Sequence, residues 1–198
     1  MRLGKRVFDL LCTVPGLLAL SPLFLAAALC IKLEDGGPVF FRQERVGRAG
    51  RPFRMWKFRS MVVDAPRLGA PLTVGRDPRI THVGWWLRKL KIDEFPQLLN
   101  VLWGEMSLVG PRPEVPRFVA DYTPEQRRVL TVAPGITDPA SVKYRDESDV
   151  LAASPDPERT YLLEIMPEKL RINLDYQAHA TVWSDMLVIL RTLRVLLR

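Results

Sequence analysis

Residues 1–37 read "MRLGKRVFDLLCTVPGLLALSPLFLAAALCIKLEDGG", and no charged residue occurs among the 22 residues from Leu10 to Ile31. A helix rises ~1.5 Å per residue, so that run covers about 33 Å, enough for a bilayer core of about 30 Å. A cleaved leader suits the basic start, but not Asp9, the length of the apolar run or the missing small-x-small cleavage site. A single spanning helix meets two objections. Ser21-Pro22 falls in mid-run, where proline removes a backbone donor and crowds the preceding turn. Both flanks are also basic, with Arg2, Lys5 and Arg6 before the run and Lys32, Arg42, Arg45, Arg48 and Arg51 after it, so both ends favour the cytoplasmic side. Each half, about 11 residues or ~16 Å, is too short to cross. The sequence therefore predicts a re-entrant helix-break-helix over residues 1–34, entering and leaving by one face, with the spanning helix as the alternative.

The rest of the chain fits one domain, residues 35–198. With 198 residues, 47% hydrophobic and 26% charged, the chain can bury one core. The 17 prolines favour short elements over a long bundle. A net charge of +7 points to an anionic partner: nucleic acid, a phosphorylated substrate or an anionic lipid surface. Cys12 and Cys30 both lie in the apolar run, leaving no disulfide framework or thiolate metal site.

Downstream, "PVFFRQERVGRAGRPFRMWKFRSM" (38–61) has two aromatic-rich extended segments around "GRAGRP", which predicts a β-hairpin carrying many arginines. Helices are expected from Asp93 to Trp103, over "TPEQRRVLTV" (123–132) and over "PDPERTYLLEIMPEKLRINLDY" (155–176). Thr123 and Gln126 have capping-box spacing. The final "TVWSDMLVILRTLRVLLR" (181–198) is amphipathic. Arg191, Arg194 and Arg198 mark its polar face, and Trp183, Met186, Leu187, Leu190, Leu193 and Leu197 its apolar one. It suits either a packed terminal helix or an interfacial one. The expected fold is α+β and mainly helical: a membrane anchor, a small cytosolic domain with a short hairpin, and interfacial amphipathic helices.

Residues 90–113, "LKIDEFPQLLNVLWGEMSLVGPRP", place two adjacent acids ahead of an apolar run. Pro96 is tolerated only in a helix's first turn, which makes Asp93 an N-cap and Glu94 the first helical residue. That alone is ordinary helix architecture. The same pair has chemistry, however. An ionised Asp at a helix start can attack phosphorus, a neighbouring acid can help hold a divalent cation, and Arg88 and Arg112 can neutralise phosphate.

The block "GRDPRITHVGWWLRKLKIDEFPQLLNVLWGEMSLVGPRPE" (75–114) resembles the bacterial sugar transferases, the small monotopic phosphoglycosyl transferases. Agreement continues through "KRVFDL", "SP", "GPVFFRQERVG", "KFRSM" and "APGIT", over most of residues 4 to 137. The resemblance implies transfer of a sugar phosphate from a UDP-sugar to a polyprenol phosphate such as undecaprenyl phosphate, with release of UMP, as the first step of glycoconjugate or polysaccharide assembly. It implies Asp93 as the nucleophile of a covalent phosphosugar intermediate. Glu94 is its dyad partner, and both would take part in Mg²⁺ binding. Arg112, Lys57, Arg59 and Arg88 would contact substrate phosphate, with Arg145 a further candidate. Ser21 and Pro22 would break the re-entrant helix, which Lys5, Arg6 and Asp9 would anchor. The implied location is the bacterial cytoplasmic membrane, with the site on the cytoplasmic face. A homodimer is compatible with the sequence.

Two stretches depart from the family's common pattern. "LKID" stands where Ser or Thr followed by Leu is frequent, and "DPASVKYRDESD" (138–149) replaces a glycine-containing continuation. Without a multi-span N-terminal extension, the chain resembles the minimal catalytic form. A non-enzymatic basic module at the membrane would explain the apolar run and the charge, but not the Asp93, Glu94 and "GPRP" constellation. A nucleic-acid-binding protein would not need the uncharged run, and no nucleic acid partner is expected.

Overall fold

The computed structural model describes residues 3–68 and 77–196. Arg2, Gly75, Arg76, Leu197 and Arg198 of the sequence reading lie outside the described residues. Helix α1 covers Leu3–Asp35, and β1 (Phe40–Val46) and β2 (Pro52–Phe58) follow as an antiparallel hairpin. Next come α2 (Ala65–Leu68), α3 (His82–Lys89), α4 (Gln97–Trp103), β3 (Ser107–Val109) and α5 (Pro116–Ala120). The chain continues through β4 (Gly135–Thr137), α6 (Pro139–Lys143), α7 (Glu147–Ala152), α8 (Pro157–Thr160), α9 (Met166–His179) and α10 (Val182–Leu196). The architecture is α+β and mainly helical, with a long apolar helix ahead of a small domain.

Helix α1 is long and apolar enough to cross a membrane. Only Asp9, Thr13, Ala27 and Ile31 of it are buried, while Leu11, Leu18 and Leu25 are each at least 70% exposed. The expected division at Ser21-Pro22 is not seen as two helices, and the reason is local. Pro22 has no N–H to offer the carbonyl of Leu18, and the Ser21 hydroxyl donates to that carbonyl instead, at 2.8 Å, so the helix runs on through the proline. Both ends of α1 touch the domain. Asp9 meets β3 at one end, and Phe24, Ala27 and Ile31 pack with Phe58 and Leu87 at the other.

The hairpin forms as predicted, and strand alternation divides its side chains between two faces. Phe40, Arg42, Trp56 and Phe58 share one face, with Phe40 stacked on Phe58 and Arg42 over Trp56. Lys57 points the other way, toward the dyad. The remaining core gathers Phe118, Tyr122, Leu151, Tyr161, Ile165 and Leu170 beneath α9. Strands β3 and β4 pair in parallel, with Ser107 opposite Gly135. A Cβ on Gly135 would fall 2.1 Å from the Gly110 nitrogen, so only glycine lets the "VGPRP" and "APGIT" segments approach this closely.

Two predicted helices are shorter or tighter than expected. The run expected from Asp93 begins with a 3-10 turn at Ile92–Glu94, and the α-helix starts only at Gln97. Successive i→i−3 bonds from Phe95, Leu98 and Leu99 wind this entry tightly, and Pro96 cannot donate to either register. Asp93 is therefore not the cap of α4. The "TPEQRRVLTV" segment is a 3-10 helix over Gln126–Thr131, although its capping box forms reciprocally, at 2.9 Å and 3.2 Å. The third segment is helical through α8, a π turn at Tyr161–Ile165 and α9. Helix α10 buries Asp185 and Val188 and leaves Trp183 and Leu190 exposed, so it packs on the domain while showing an apolar stripe outward.

Candidate active site

The site is built on the turn between α3 and α4. Thr81 caps α3 by accepting the Gly84 amide at 3.0 Å, and the helix carries Arg88 in its last turn. A Cβ on Gly84 would fall 2.0 Å from the Ser60 carbonyl oxygen, so that glycine lets α3 press against the "KFRSM" segment. Lys91 then reverses the chain in the left-handed region, at φ 56° and ψ 18°, delivering Asp93 and Glu94 on the 3-10 turn.

The two acids meet different surroundings. Glu94 accepts from Lys57 at 3.2 Å and from the Arg112 Nη1 at 3.1 Å, and the Arg112 Nη2 also donates to it. Burial alone would raise the Glu94 pKa, but Arg112 and then Lys57 outweigh it and hold the carboxyl well below the usual range. Burial likewise lowers the Lys57 pKa, an effect that the charge of Glu94 opposes. Asp93 is 6% exposed, and among the described residues its carboxylate has no hydrogen-bond partner. Burial first, and the charge of Glu94 second, push it up to about 6 against the pull of Lys57, Arg88 and Lys91. Asp93 thus lies within the 3-10 turn and not at the start of α4, and burial, not a helix terminus, dominates its titration. Such a carboxylate, poorly solvated yet ionised above about pH 6, is suited to nucleophilic attack.

The loop carrying Arg112 is bolted on both sides. The Gly110 amide donates to the Thr137 carbonyl and the Gly135 amide to the Pro111 carbonyl, both at 3.0 Å. Arg45 Nη1 donates to the Pro113 carbonyl at 3.1 Å, and the Tyr161 hydroxyl donates to Glu114. The dyad, its two clamping cations and this rigid loop form one constellation from segments far apart in sequence.

A family model described as "Bacterial sugar transferase" matches residues 1–198. The chain belongs to the bacterial sugar transferase family. It is 40% identical over 196 residues to a UDP-N-acetylgalactosamine-undecaprenyl-phosphate N-acetylgalactosaminephosphotransferase of Aeromonas hydrophila, covering 98% of this chain and 43% of that protein. It is 41% identical to an undecaprenyl-phosphate glucose phosphotransferase of Komagataeibacter xylinus, covering 97% of this chain and 35% of the relative. A UDP-glucose:undecaprenyl-phosphate glucose-1-phosphate transferase of Caulobacter vibrioides is 37% identical, with 98% and 70% covered. The chain thus spans less than half the length of the first two relatives.

Of the residues that the family resemblance singles out, Asp93, Glu94, Lys57 and Arg112 come together, and Arg88 lies within electrostatic reach of Asp93. Arg59 does not join them. It is bound by Asp35, at 2.5 Å through Nη1, and donates to the Pro38 carbonyl at 2.6 Å. Strand β2 ends at Phe58, so the alternation that aims Lys57 at the dyad no longer governs Arg59. Arg145 is exposed and pairs with its neighbour Asp146 at 3.2 Å. Lys5, Arg6 and Asp9 bind protein groups. Lys5 pairs with Asp185 at 2.5 Å, Arg6 donates to the Val101 and Leu102 carbonyls at the end of α4, and Asp9 accepts from Ser107 at 2.8 Å and the Leu108 amide at 3.2 Å.

Two residues escaped the sequence reading. Asn100 bridges α4 to β2, accepting from the Trp56 amide at 2.9 Å and donating to the Arg54 carbonyl at 3.0 Å. Its only sequence signal is a polar residue on an apolar helical stripe. Gln97, on the same face, is wholly buried with both amide atoms unpartnered among the described residues.

Proposed function

We propose that this chain is a phosphoglycosyl transferase that moves a sugar 1-phosphate from a UDP-sugar to a polyprenol phosphate such as undecaprenyl phosphate. The observation that carries this reading is the asymmetry of the dyad. Glu94 gathers both cations, while the buried Asp93 carboxylate is left with no hydrogen bond. In the first step an Asp93 oxygen attacks the sugar-bearing phosphorus, and the bond from that phosphorus to the UMP oxygen breaks, so that UMP leaves with the electron pair. In the second, an oxygen of the polyprenol phosphate attacks the same phosphorus and the Asp93 carboxylate is released. Arg112, with 30% of its side chain exposed, and Arg88 face the phosphate charge, while Glu94 holds Arg112 and Lys57 in place.

Mg²⁺ is the cofactor in this reading. Among the described residues there is no cluster of three or more His, Cys, Asp or Glu. Two adjacent carboxylates completed by a substrate diphosphate are nevertheless a ligand set that Mg²⁺ takes. Asp93 and Glu94 would hold it, and when bound it would neutralise diphosphate charge. The test is intact mass after mixing enzyme, Mg²⁺ and a panel of UDP-sugars without acceptor. A protein-bound sugar phosphate is expected, and it should be absent from Asp93→Asn. An unmodified wild-type protein that still turns over would overturn the covalent mechanism.

The membrane reading is that residues 1–34 form a re-entrant anchor bent at the Pro22 hinge, with residues 35–198 on the cytoplasmic face of the bacterial inner membrane. Support comes from the docking of both ends of α1 on one domain, the basic flanks and the exposed apolar stripe of α10. Tags at residues 1 and 198 should both be reached only from the cytoplasmic side. An N-terminus labelled from outside would leave a spanning helix.

A further inference from the structure

Four cations surround the dyad, and two of them are already committed. Lys57 and Arg112 are hydrogen-bonded to Glu94. Lys91 is exposed, and its ammonium has no hydrogen bond or ion pair among the described residues. It stands two residues before Asp93, close enough for its charge to act on both carboxylates.

The backbone of Lys91 adds a second observation. Among the described residues only Ala49 and Lys91 hold a positive φ without being glycine, and Lys91 sits at 56°. The conformation is pinned from both sides: the Lys91 amide donates to the Arg88 carbonyl at 3.1 Å, and the Glu94 amide donates to the Lys91 carbonyl at 3.4 Å. Glycine would adopt this turn without strain, so a long cationic side chain is a costly choice for geometry alone. A left-handed residue here also ends α3, and non-glycine residues held in this region cluster at functional sites.

We propose that Lys91 is a phosphate-binding residue of this site, its ammonium meeting the phosphate that enters against Asp93. The inference rests on the phosphoryl-transfer reading given above. Two sources share that chemistry: the diphosphate of the nucleotide sugar and the monophosphate of the polyprenol. An uncommitted ammonium at the rim gives the incoming anion a partner that need not first be released from Glu94.

The experiment is steady-state kinetics of the full chain in lipid nanodiscs, with UDP-glucose and UDP-N-acetylgalactosamine as donors and undecaprenyl phosphate as acceptor. Lys91→Met, Lys91→Gly and Lys91→Arg are compared with wild type. Loss of one charge-assisted contact should raise one KM about tenfold in the Met and Gly variants, and the KM that moves identifies the phosphate. Lys91→Arg should stay within about twofold, and the Met defect should shrink as salt rises. Lys91→Gly separates charge from backbone, because it relieves the turn without restoring the cation. KM values for both substrates within twofold of wild type in Lys91→Met would overturn the proposal whatever kcat does, and so would recovery in Lys91→Gly. Asp93→Asn run alongside keeps the two readings apart. If that variant is active, the mechanism fails; if it is inactive while Lys91→Met behaves as wild type, only the role of Lys91 fails.

Discussion

Asp93 and Asp138 are both withdrawn from solvent, at 6% and 0% exposure, and each stands shortly before a proline at the approach to a helix. From sequence alone they look like the same device. Asp138 is that device: it caps α6, accepting the Ser141 amide through Oδ1 and the Ser141 hydroxyl through Oδ2, each at 2.8 Å, with Pro139 in the first turn. Asp93 is nearly as buried and makes neither bond. A buried acid whose oxygens are satisfied by the protein supports a fold, whereas one that takes no protein hydrogen bond and feels the charges of Lys57, Arg88 and Lys91 is the better candidate for chemistry.

The sharpest way to break this comparison is one substitution made at both positions. Asp93→Asn removes the attacking charge, and turnover should fall by about three to four orders of magnitude. The same change should stabilise the fold. The Asp93 pKa in the folded protein, about 6, lies above its ordinary 3.8, so across that window the folded state holds a proton that the unfolded chain has released. Wild-type stability therefore declines as pH rises from about 4 to 6, and Asn escapes this decline by about 3 kcal/mol at neutral pH. Melting curves in metal-free buffer should show the two proteins converging near pH 3.5, separating between about pH 4 and 6, and staying apart above that. A variant less stable than wild type at pH 7 would mean that Asp93 is a structural cap after all.

Glu94→Gln probes the other half of the dyad. Removing one partner of a buried ion pair leaves the other uncompensated, and here Lys57 and Arg112 both lose their carboxylate. A loss of about 3 kcal/mol is expected at pH 7, together with a large loss of activity and an altered Mg²⁺ requirement. The stability difference should shrink in acid, because a carboxyl held well below its usual range contributes above that range and ceases to as pH falls through its folded pKa. Equal stabilities at pH 7 would show that the pairing does not hold the site together.

At Asp138 the outcomes should reverse. Asn keeps an acceptor for the Ser141 amide and should be nearly silent in both stability and turnover. Ala leaves that amide and the Ser141 hydroxyl without their acceptors and should cost about 1–2 kcal/mol, read as a lower Tm with activity per folded molecule retained. A catalytic collapse in Asp138→Asn would erase the distinction between the two acids.

How much of this was legible beforehand follows the range of the forces involved. The apolar run of α1 and the alternation in β1 and β2 are local patterns, so the long helix and the hairpin could be read directly. Asp93 and Glu94 could be singled out by motif. Their difference could not, because it is tertiary. Glu94 is joined to Lys57 and Arg112, 37 and 18 residues away, and nothing local says which acid those cations will choose. At Ser21-Pro22 the local pattern reads as a break, and the tertiary structure keeps the segment helical, with the Ser21 hydroxyl on the Leu18 carbonyl, which is compatible with a bend but not with two separate helices. Arg59 shares the "KFRSM" motif with Lys57, but the strand ends between them and Arg59 turns to Asp35.

The smallest expected effect repeats the comparison one helical turn further on, between two buried amides. Asn100 is fully employed: it accepts the Trp56 amide and donates to the Arg54 carbonyl and, at 2.7 Å, to Glu105. Gln97 is equally buried, yet neither of its amide atoms has a partner among the described residues. Gln97→Met keeps most of the side-chain volume and removes two unmade hydrogen bonds, so it should raise stability by up to about 1 kcal/mol. Asn100→Leu should lower it by about 2–3 kcal/mol, because it removes the side-chain bonds to the Trp56 amide and the Arg54 carbonyl of β2. Thermal unfolding of the two variants in the same detergent decides the matter. If Gln97→Met is instead destabilised by more than about 1 kcal/mol, its amide is engaged in solution, and a direct bond to the Asp93 carboxylate four residues earlier becomes the first to test, through non-additivity with Asp93→Asn.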